Sequence, residues 1–238
     1  MQFDSSQLRI TRGALVIIGL QLGLSLVYLL CSDAARATLA EWVVATPSQV
    51  FHNYRVWTLV TSPLLEVDFF SLLLGLVMLW LFVPTLERFW GTARFYRFVA
   101  ITSIAGTLFG VLAGELLGRD VPILGLSPFV YASVVAFGVI YARQPVQFFG
   151  VLPLSGREFM WGMLAVFTLA AVLQQHWEAG GAWAAAALAA AIMTSKKWSP
   201  GLAWKRWRIA RARRRLAVLE GGLPKAKAKP KDEQRFLN

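Results

Sequence analysis

The chain has 238 residues, of which 57% are hydrophobic and 16% are charged, with a mean hydropathy of +0.55 and a formal net charge of +11. A soluble domain has about 45–50% apolar and about 25% charged residues, so this composition excludes an ordinary soluble domain and indicates an integral membrane protein. A single cysteine, Cys31, excludes an intrachain disulfide, and one cysteine with two histidines cannot build a structural zinc cluster. We therefore expect neither a metal nor a cofactor.

Six apolar runs approach the length of about 20 residues that a membrane-spanning helix requires. In chain order they cover residues 13–32, 69–86, 98–117, 124–142, 159–173 and 182–194. The sequence therefore predicts an all-α integral membrane protein, with a short N-terminal segment at residues 1–12 and a six-transmembrane helix bundle at residues 13–195.

The connection between the first two runs, residues 33–68, is far longer than the others. It contains Trp42, Phe51 and Trp57 together with several Leu and Val residues. A connection that is both long and apolar is better suited to the bilayer interface than to water. We therefore predict a membrane-embedded first loop.

The positive charges are distributed unevenly between the two sides of the predicted bundle. With six spans, all but three of the 24 Lys and Arg residues fall on the side that holds both termini, and the exceptions are Arg36, Arg55 and Arg119. The positive-inside rule assigns such a side to the cytoplasm. Both termini are therefore predicted to be cytoplasmic.

Small residues recur at four-residue spacing in two of the predicted spans. The stripes consist of Gly106, Gly110 and Gly114 in the third span and of Ala182, Ala186 and Ala190 in the sixth. Small side chains let helix backbones approach closely in lipid, where no hydrophobic effect drives helices together. We therefore predict that the two stripes serve helix packing.

Three segments of the chain resemble the motifs of a known family. They are VWTLVTS at residues 56–62, ERFWGTARF at residues 87–95 and GLSPFVYA at residues 125–132. In this order they resemble the Trp-Arg-x-x-Thr entry to the first loop, the Glu-x-x-x-Gly turn after the second span and the Gly-x-Ser-Gly nucleophile segment of the rhomboid intramembrane serine proteases. The resemblance implies a rhomboid-like six-span fold. The positions that carry it are Trp57, Thr61, Glu87, Gly91, Arg94 and Gly125.

The resemblance also implies where a catalytic site would lie. Active rhomboids pair a serine at the start of the fourth span with a histidine on the sixth, and a histidine and an asparagine on the second span help to bind the oxyanion. At these positions the chain has Ser127, Trp183, Ser71 and Gly75, and Pro128 replaces the glycine after the serine. An indole N–H is a donor only, so it cannot accept the proton of a serine. The resemblance therefore implies a site that keeps the serine but lacks its base and both oxyanion donors.

Two histidines remain as substitute bases. His52 lies in the first loop, and His176 lies seven residues before Trp183, about 10 Å along a helix. A Ser127–His176 pair is the basis of an alternative prediction, an active rhomboid-type protease with a non-standard base. The simpler interpretation of Ser127-Pro128 is a helix N-cap followed by proline at the first helical position.

The loss of catalytic residues is typical of the pseudoprotease branches of the rhomboid superfamily. The segments Thr46-Pro47, Trp57-Thr58-Leu59 and residues 86–91 are particularly similar to the Golgi-resident rhomboid-like family of eukaryotes. We therefore predict a catalytically inactive protein that binds or scaffolds transmembrane clients or partners in a membrane complex. A structural subunit of a membrane complex is a further alternative, and the host is either a eukaryotic endomembrane (Golgi or ER) or a bacterial inner membrane.

The chain becomes strongly basic after the last predicted span. Residues 196–222 are predicted to form a basic, amphipathic juxtamembrane helix that ends at Gly221-Gly222, and residues 223–238 are predicted to be a disordered basic tail. Such a helix is expected to lie on anionic lipid headgroups, and no motif for sequence-specific nucleic-acid recognition is present. The predicted lipid contacts are Lys205, Arg206, Arg208, Arg211, Arg213, Arg214 and Arg215.

Overall fold

The computed structural model describes residues 11–143, 145–148, 152–194, 207–209 and 211. It divides the chain into two units, residues 1–196 and residues 197–238. The predicted N-terminal segment 1–12 is described only at its last two residues. Most of the predicted basic helix 196–222 and the whole of the predicted tail 223–238 lie outside the described residues.

The first unit is built almost entirely of helices. The α-helices are α1 (Arg12–Leu30), α2 (Asp33–Val43), α3 (Thr58–Thr61), α4 (Phe69–Trp90), α5 (Thr92–Leu116), α6 (Ser127–Ile140), α7 (Gly156–Leu173) and α8 (Trp177–Thr194). A π-helical turn, Ser48–His52, and a 3-10 turn, Ser62–Leu64, lie in the first loop on either side of α3. Strands β1 (Pro145–Phe148) and β2 (Leu152–Ser155) pair as an antiparallel hairpin between α6 and α7.

Within the described residues, four helices are long and apolar enough to cross a membrane: α1, α4, α5 and α7. The other two predicted spans correspond to α6, a shorter apolar helix of 14 residues, and to α8, an 18-residue helix rich in alanine. At 1.5 Å per residue, α6 is about 21 Å long, which is less than the hydrocarbon thickness of about 30 Å. A helical, multi-pass membrane protein is therefore confirmed, whereas the length and hydropathy of α6 and α8 do not confirm six spans.

Several predicted span boundaries were wrong, and the second, third, fifth and sixth spans are longer because their helices continue through charged or glycine-containing segments. The second span reaches Trp90 instead of residue 86, and the third begins at Thr92 instead of residue 98. The sixth begins at Trp177 instead of residue 182, whereas the fourth is reduced from 124–142 to Ser127–Ile140. The first and fifth spans, predicted at 13–32 and 159–173, are Arg12–Leu30 and Gly156–Leu173.

Helix α6 occupies the centre of the bundle. It packs against α4, α5, α7 and α8, while α1 packs against α4, and α5 packs most extensively against α8. Ten of the residues of α6 are buried, including Phe129, Ala132, Val134 and Ala136 with no exposed surface. A helix enclosed in this way does not need to match the thickness of the bilayer, because its neighbours and not lipid surround it.

The first loop is a folded structure and not an irregular connection. The backbone of Ala45 pairs with Ile123, and the Ser62 hydroxyl donates to the Ile123 carbonyl. The side chain of Asp120 accepts hydrogen bonds from the Ser48 backbone N–H and hydroxyl, at 3.0 and 2.7 Å. These contacts tie the loop to the segment that leads into α6.

Candidate functional site

A cavity of about 440 Å³ lies between α4 and α7, with α1 and the start of α6 at its back. It has four polar lining side chains, those of Gln21, Glu66, Ser71 and Ser127. The apolar part of the lining comes from Leu74, Met78, Leu124, Leu126, Val130, Met163, Val166 and Phe167. Leu74 and Val166, on the two flanking helices, are 50% and 63% exposed, so the cavity opens to the outside of the bundle.

The two flanking helices are in contact next to the cavity. The rings of Phe82 in α4 and Phe159 in α7 lie 5.9 Å apart between their centroids, and both are buried. Further along α4 and α7 the cavity separates Leu74 and Met78 from Met163. Both helices therefore contribute lining residues to the cavity over one to two turns, from Ser71 to Met78 in α4 and from Met163 to Phe167 in α7.

Ser127 and Trp183, which the sequence predicted to occupy the catalytic positions, lie side by side. The indole Nε1 of Trp183 donates to the Ser127 hydroxyl oxygen at 3.5 Å. An indole N–H offers a proton but has no lone pair with which to remove one. Ser127 therefore faces a hydrogen-bond donor where a general base would be required for nucleophilic attack.

Aromatic neighbours hold the Trp183 ring in this position. It stacks on Tyr131 with 5.8 Å between ring centroids and 16° between the planes, and it meets Phe167 edge-on at 5.6 Å. Aromatic pairs at these distances add to the hydrophobic burial of each ring. The indole is therefore held beside the cavity, against the lining residue Phe167.

The histidines are not part of this site. Neither His52 nor His176 lines the cavity, and both are exposed. His52 ends the π-helical turn. Nearby Asp120 is partly buried, which opposes ionisation, but hydrogen bonds from Ser48 outweigh this and lower the pKa of its carboxyl. His176 lies in the turn before α8, where its backbone N–H donates to Ala171.

Ser71 and Gly75, the predicted replacements of the two oxyanion donors, both line the cavity one helical turn apart. The Ser71 backbone N–H donates to the Asp68 side chain at 2.8 Å, which caps α4 and lowers the pKa of Asp68. Gly75 has no side chain, and the Cβ that another residue would have there lies 3.6 Å from Nε2 of Gln21. The cavity therefore reaches the buried amide of Gln21 at this glycine.

Gln21 is a polar residue in the middle of an apolar helix, and it was missed by the sequence analysis. It has no exposed surface, and neither Oε1 nor Nε2 has a hydrogen-bond partner among the described residues. Buried side-chain amides are almost always paired, so this one calls for an explanation. A glutamine inside an apolar run, residues 13–32, was the available signal, because polar residues within spans mark functional positions.

Glu66 was also missed, because it lies in the loop before α4 and matches no motif. Burial, and secondarily the charge of Asp68, raises the pKa of the Glu66 carboxyl to about 7. The carboxyl rests against Gly125, where a Cβ would lie 1.8 Å from Oε1. The φ of +73° at Gly125 adds a second reason for glycine at this position.

Pro128 points away from the cavity. A Cβ at Gly106 would lie 2.4 Å from Cβ of Pro128, so the proline packs against the glycine of α5.

The other glycines of the α5 stripe also lie close to their neighbours. A Cβ built on Gly110 would lie 3.0 Å from Cβ of Ala182 in α8. A Cβ built on Gly114 would lie 3.0 Å from Cγ of Pro47 in the first loop. The three alanines of the α8 stripe, Ala182, Ala186 and Ala190, are all buried.

The remaining motif residues hold the loop and the helix ends together. Trp57 stacks on Trp42 at 5.9 Å and donates its indole N–H to the Trp42 carbonyl, and the Thr61 hydroxyl donates to Val43. Gly91 turns the chain between α4 and α5 with a φ of +77°, and Arg94 donates to the Met193 carbonyl at 3.3 Å. These positions have structural partners and do not reach the cavity.

Glu87 has the most complete set of partners in the bundle. Its buried carboxylate accepts hydrogen bonds from the backbone N–H groups of Gly13 and Ala14 at 3.0 Å each, from the Thr92 hydroxyl at 2.8 Å and from the Thr11 hydroxyl. It thereby satisfies the unpaired N–H groups at the start of α1. Glu87 joins α1, α4 and α5 at one end of the bundle.

Of the predicted lipid contacts, Arg208 and Arg211 are among the described residues, and both are exposed. The guanidinium of Arg211 lies 4.5 Å from the centre of the Trp207 ring. Residues 207–209 are helical, as predicted for this segment. Lys205, Arg206, Arg213, Arg214 and Arg215 lie outside the described residues.

The fold and the cavity lie within a region that matches a known family. No curated protein matches the chain. The sequence model of a family described as "Eukaryotic integral membrane protein (DUF1751)" matches residues 14–195, which is most of the chain and includes nearly all of α1 to α8. The protein therefore belongs to this family of eukaryotic integral membrane proteins.

Proposed function

We propose that this protein is a catalytically inactive, rhomboid-like membrane protein that binds transmembrane segments of other membrane proteins in the cavity between α4 and α7. The hydrogen bond from the Trp183 indole to Ser127 carries this proposal. It places a donor where hydrolysis needs a base, while the cavity beside it stays open to the outside of the bundle.

The dimensions and chemistry of the cavity support a helical ligand. Its lining extends along α4 from Ser71 to Met78 and along α7 from Met163 to Phe167, which is one to two helical turns on each side. Apolar walls with a few polar groups would accept a membrane segment that carries a polar side chain. We expect the positive-inside rule to set the orientation of the protein in the membrane, with both termini in the cytoplasm. The basic C-terminal helix would then lie on anionic lipid headgroups.

The eukaryotic description of the family supports an endomembrane, such as Golgi or ER, over a bacterial inner membrane.

The alternative of an active protease is less well supported. His176 does not line the cavity that Ser127 lines, and none of the lining residues is a histidine. The alternative of a structural subunit in a membrane complex would use the outer faces of the bundle and leave the cavity without a role.

Two measurements test the proposal together. A serine-directed activity probe should fail to label the purified protein, and Ser127→Ala should leave the signal unchanged, while an active rhomboid protease is labelled in parallel. A photo-crosslinking amino acid at Leu74 should capture a single-span test segment in liposomes. The same amino acid at Leu20, which is similarly exposed on α1 but does not line the cavity, should capture little. Labelling that depends on Ser127 would support the protease instead.

A further inference from the structure

Gln21 has hydrogen-bonding groups that no described residue satisfies. Its side chain is fully buried, both of its polar atoms lack a partner, and it lines the cavity between α4 and α7. A primary amide has two N–H donors and one carbonyl acceptor, and leaving these unpaired in an apolar interior is unfavourable. We propose that Gln21, reached through Gly75, recognises the carboxamide side chain of an asparagine or glutamine in a bound transmembrane segment.

Gly75 provides the access. The Cβ of any other residue at this position would lie 3.6 Å from Nε2 of Gln21, which is ordinary van der Waals contact. With glycine at this position, no side chain lies between the cavity and the amide, so a ligand side chain beside Gly75 can pair with Gln21 once the amide turns toward the cavity. Gly75 itself is only partly buried and belongs to the cavity lining.

The depth of Gln21 selects a transmembrane segment over a lipid headgroup. Gln21 is the central residue of α1, Arg12–Leu30, and so lies about 14 Å from either end of the helix. In a bilayer with about 30 Å of hydrocarbon, this position is close to the midplane. Headgroups do not reach this depth, whereas a side chain in the middle of a spanning helix is present there.

The arrangement of donor and acceptor selects a carboxamide among side chains. Because Oε1 and Nε2 are both unpaired, the partner that satisfies them must present a donor and an acceptor side by side. Asn and Gln do so and form a two-bond amide pair. A Lys or Arg side chain has donors only, an ionised carboxylate has acceptors only, and a hydroxyl must donate and accept through one atom. A neutral partner also avoids the cost of placing an unpaired charge in the bilayer core.

The experiment uses the full chain in liposomes and rests on the proposed binding of transmembrane segments. The crosslinking amino acid is placed at Leu74, and the probes are synthetic single-span peptides of Leu and Ala whose central residue is Leu, Asn or Gln. We expect the Asn and Gln peptides to be captured about three- to thirtyfold more efficiently than the Leu peptide, which corresponds to one or two hydrogen bonds between membrane helices.

Two variants assign that preference to the proposed site. Gln21→Leu removes the amide at similar volume, and Gly75→Ala fills the access without a clash while favouring the helix. Both should reduce the preference to about onefold. Gly162→Ala, in a helix position with open space around it, is the matched control and should retain the preference.

The outcomes separate this inference from the proposed function. If all three peptides are captured equally well by the unmodified protein, or if the Asn preference survives in Gln21→Leu, amide recognition by Gln21 is wrong while segment binding stands. If no peptide is captured above the Leu20 background, both proposals fail. Capture of a photoactivatable phospholipid in place of every peptide would likewise overturn both and identify the cavity as a lipid site.

Discussion

Two polar sites lie inside the same apolar bundle, and they differ in how well they are paired. At one end, the Glu87 carboxylate accepts four hydrogen bonds from the start of α1 and from Thr92. About two turns further along the same buried face of α1, Gln21 has no partner among the described residues, and Glu66 is shifted toward its neutral form by burial. A fully paired polar site stabilises a unique structure, whereas an unpaired one is costly and is retained for another reason.

The comparison predicts opposite responses to mutation. Removing a member of the Glu87 site should destabilise the fold, because buried donors lose their acceptor. Removing Gln21 should not destabilise it, because no described residue loses a partner.

Glu87→Ala should have the largest effect. It leaves the N–H groups of Gly13 and Ala14 and two hydroxyls without their acceptor, and we expect the free energy of unfolding to fall by about 4 kcal/mol. Unfolding by SDS titration in mixed micelles measures this change. Glu115→Ala, at an exposed position of α5, is the control and should stay within about 0.5 kcal/mol of the unmodified protein. Equal stability of the two variants would contradict the structural role of Glu87.

Gly125→Ala should have the second-largest effect on the free energy of unfolding, because it disturbs Glu66 in the lining of the cavity. The new Cβ would lie 1.8 Å from Oε1 of Glu66, so the carboxyl must move, and the φ of +73° disfavours alanine as well. Gly118 is the matched control, since it has a φ of +64° but nothing within 4 Å of a built Cβ. We expect Gly125→Ala to lower the free energy of unfolding by about 2 kcal/mol more than Gly118→Ala does. Equal losses in the two variants would show that Glu66 relocates freely.

The sequence predicted the bundle well and its helix ends poorly. Apolar runs locate helices because lipid-facing and core-facing residues are both apolar in a membrane protein. The ends were misplaced because the charged residues Glu87 and Arg97 were treated as the boundaries of spans. In the structure both lie within helices, and Glu87 caps the start of α1. Whether a charge ends a helix or is paired inside it depends on residues distant in sequence.

The same limit applies to the candidate site. The resemblance predicted Ser71, Gly75, Ser127 and Trp183 as members of one site, and the structure brings the first three into one cavity with Trp183 adjacent. Gln21 could not have been distinguished from an ordinary buried glutamine by sequence. Its significance comes from the absence of a partner among the described residues, which is a property of the folded bundle.

Gln21→Leu should increase the free energy of unfolding by about 1 kcal/mol, because it replaces an unpaired buried amide with an apolar side chain of similar size. Ser25→Ala is the informative control, one turn along the same face of α1. The Ser25 hydroxyl accepts the Glu66 backbone N–H at 2.9 Å, so its loss should cost about 1 kcal/mol. The two variants therefore change stability in opposite directions if Gln21 is unpaired, and SDS titration distinguishes them. Destabilisation by Gln21→Leu would show that the amide has a structural partner.

The smallest expected effect is a pH dependence that arises from Glu66. Burial raises the pKa of this carboxyl from 4.5 to about 7, so between these values the folded protein binds more protons than the unfolded chain. The stability contribution is fully present below about pH 4.5 and is lost as the pH rises through about 7. We therefore expect the Tm in detergent to fall between pH 5 and pH 8. The difference in Tm between the unmodified protein and Glu66→Gln over this pH range should show the part of the fall that Glu66 causes. Asp68 has a lowered pKa and loses its stabilising effect only at lower pH, so it does not contribute in this range. A pH profile that is unchanged by Glu66→Gln would show that the carboxyl is solvated and ionised throughout, and would leave Gln21 as the unpaired group of the cavity.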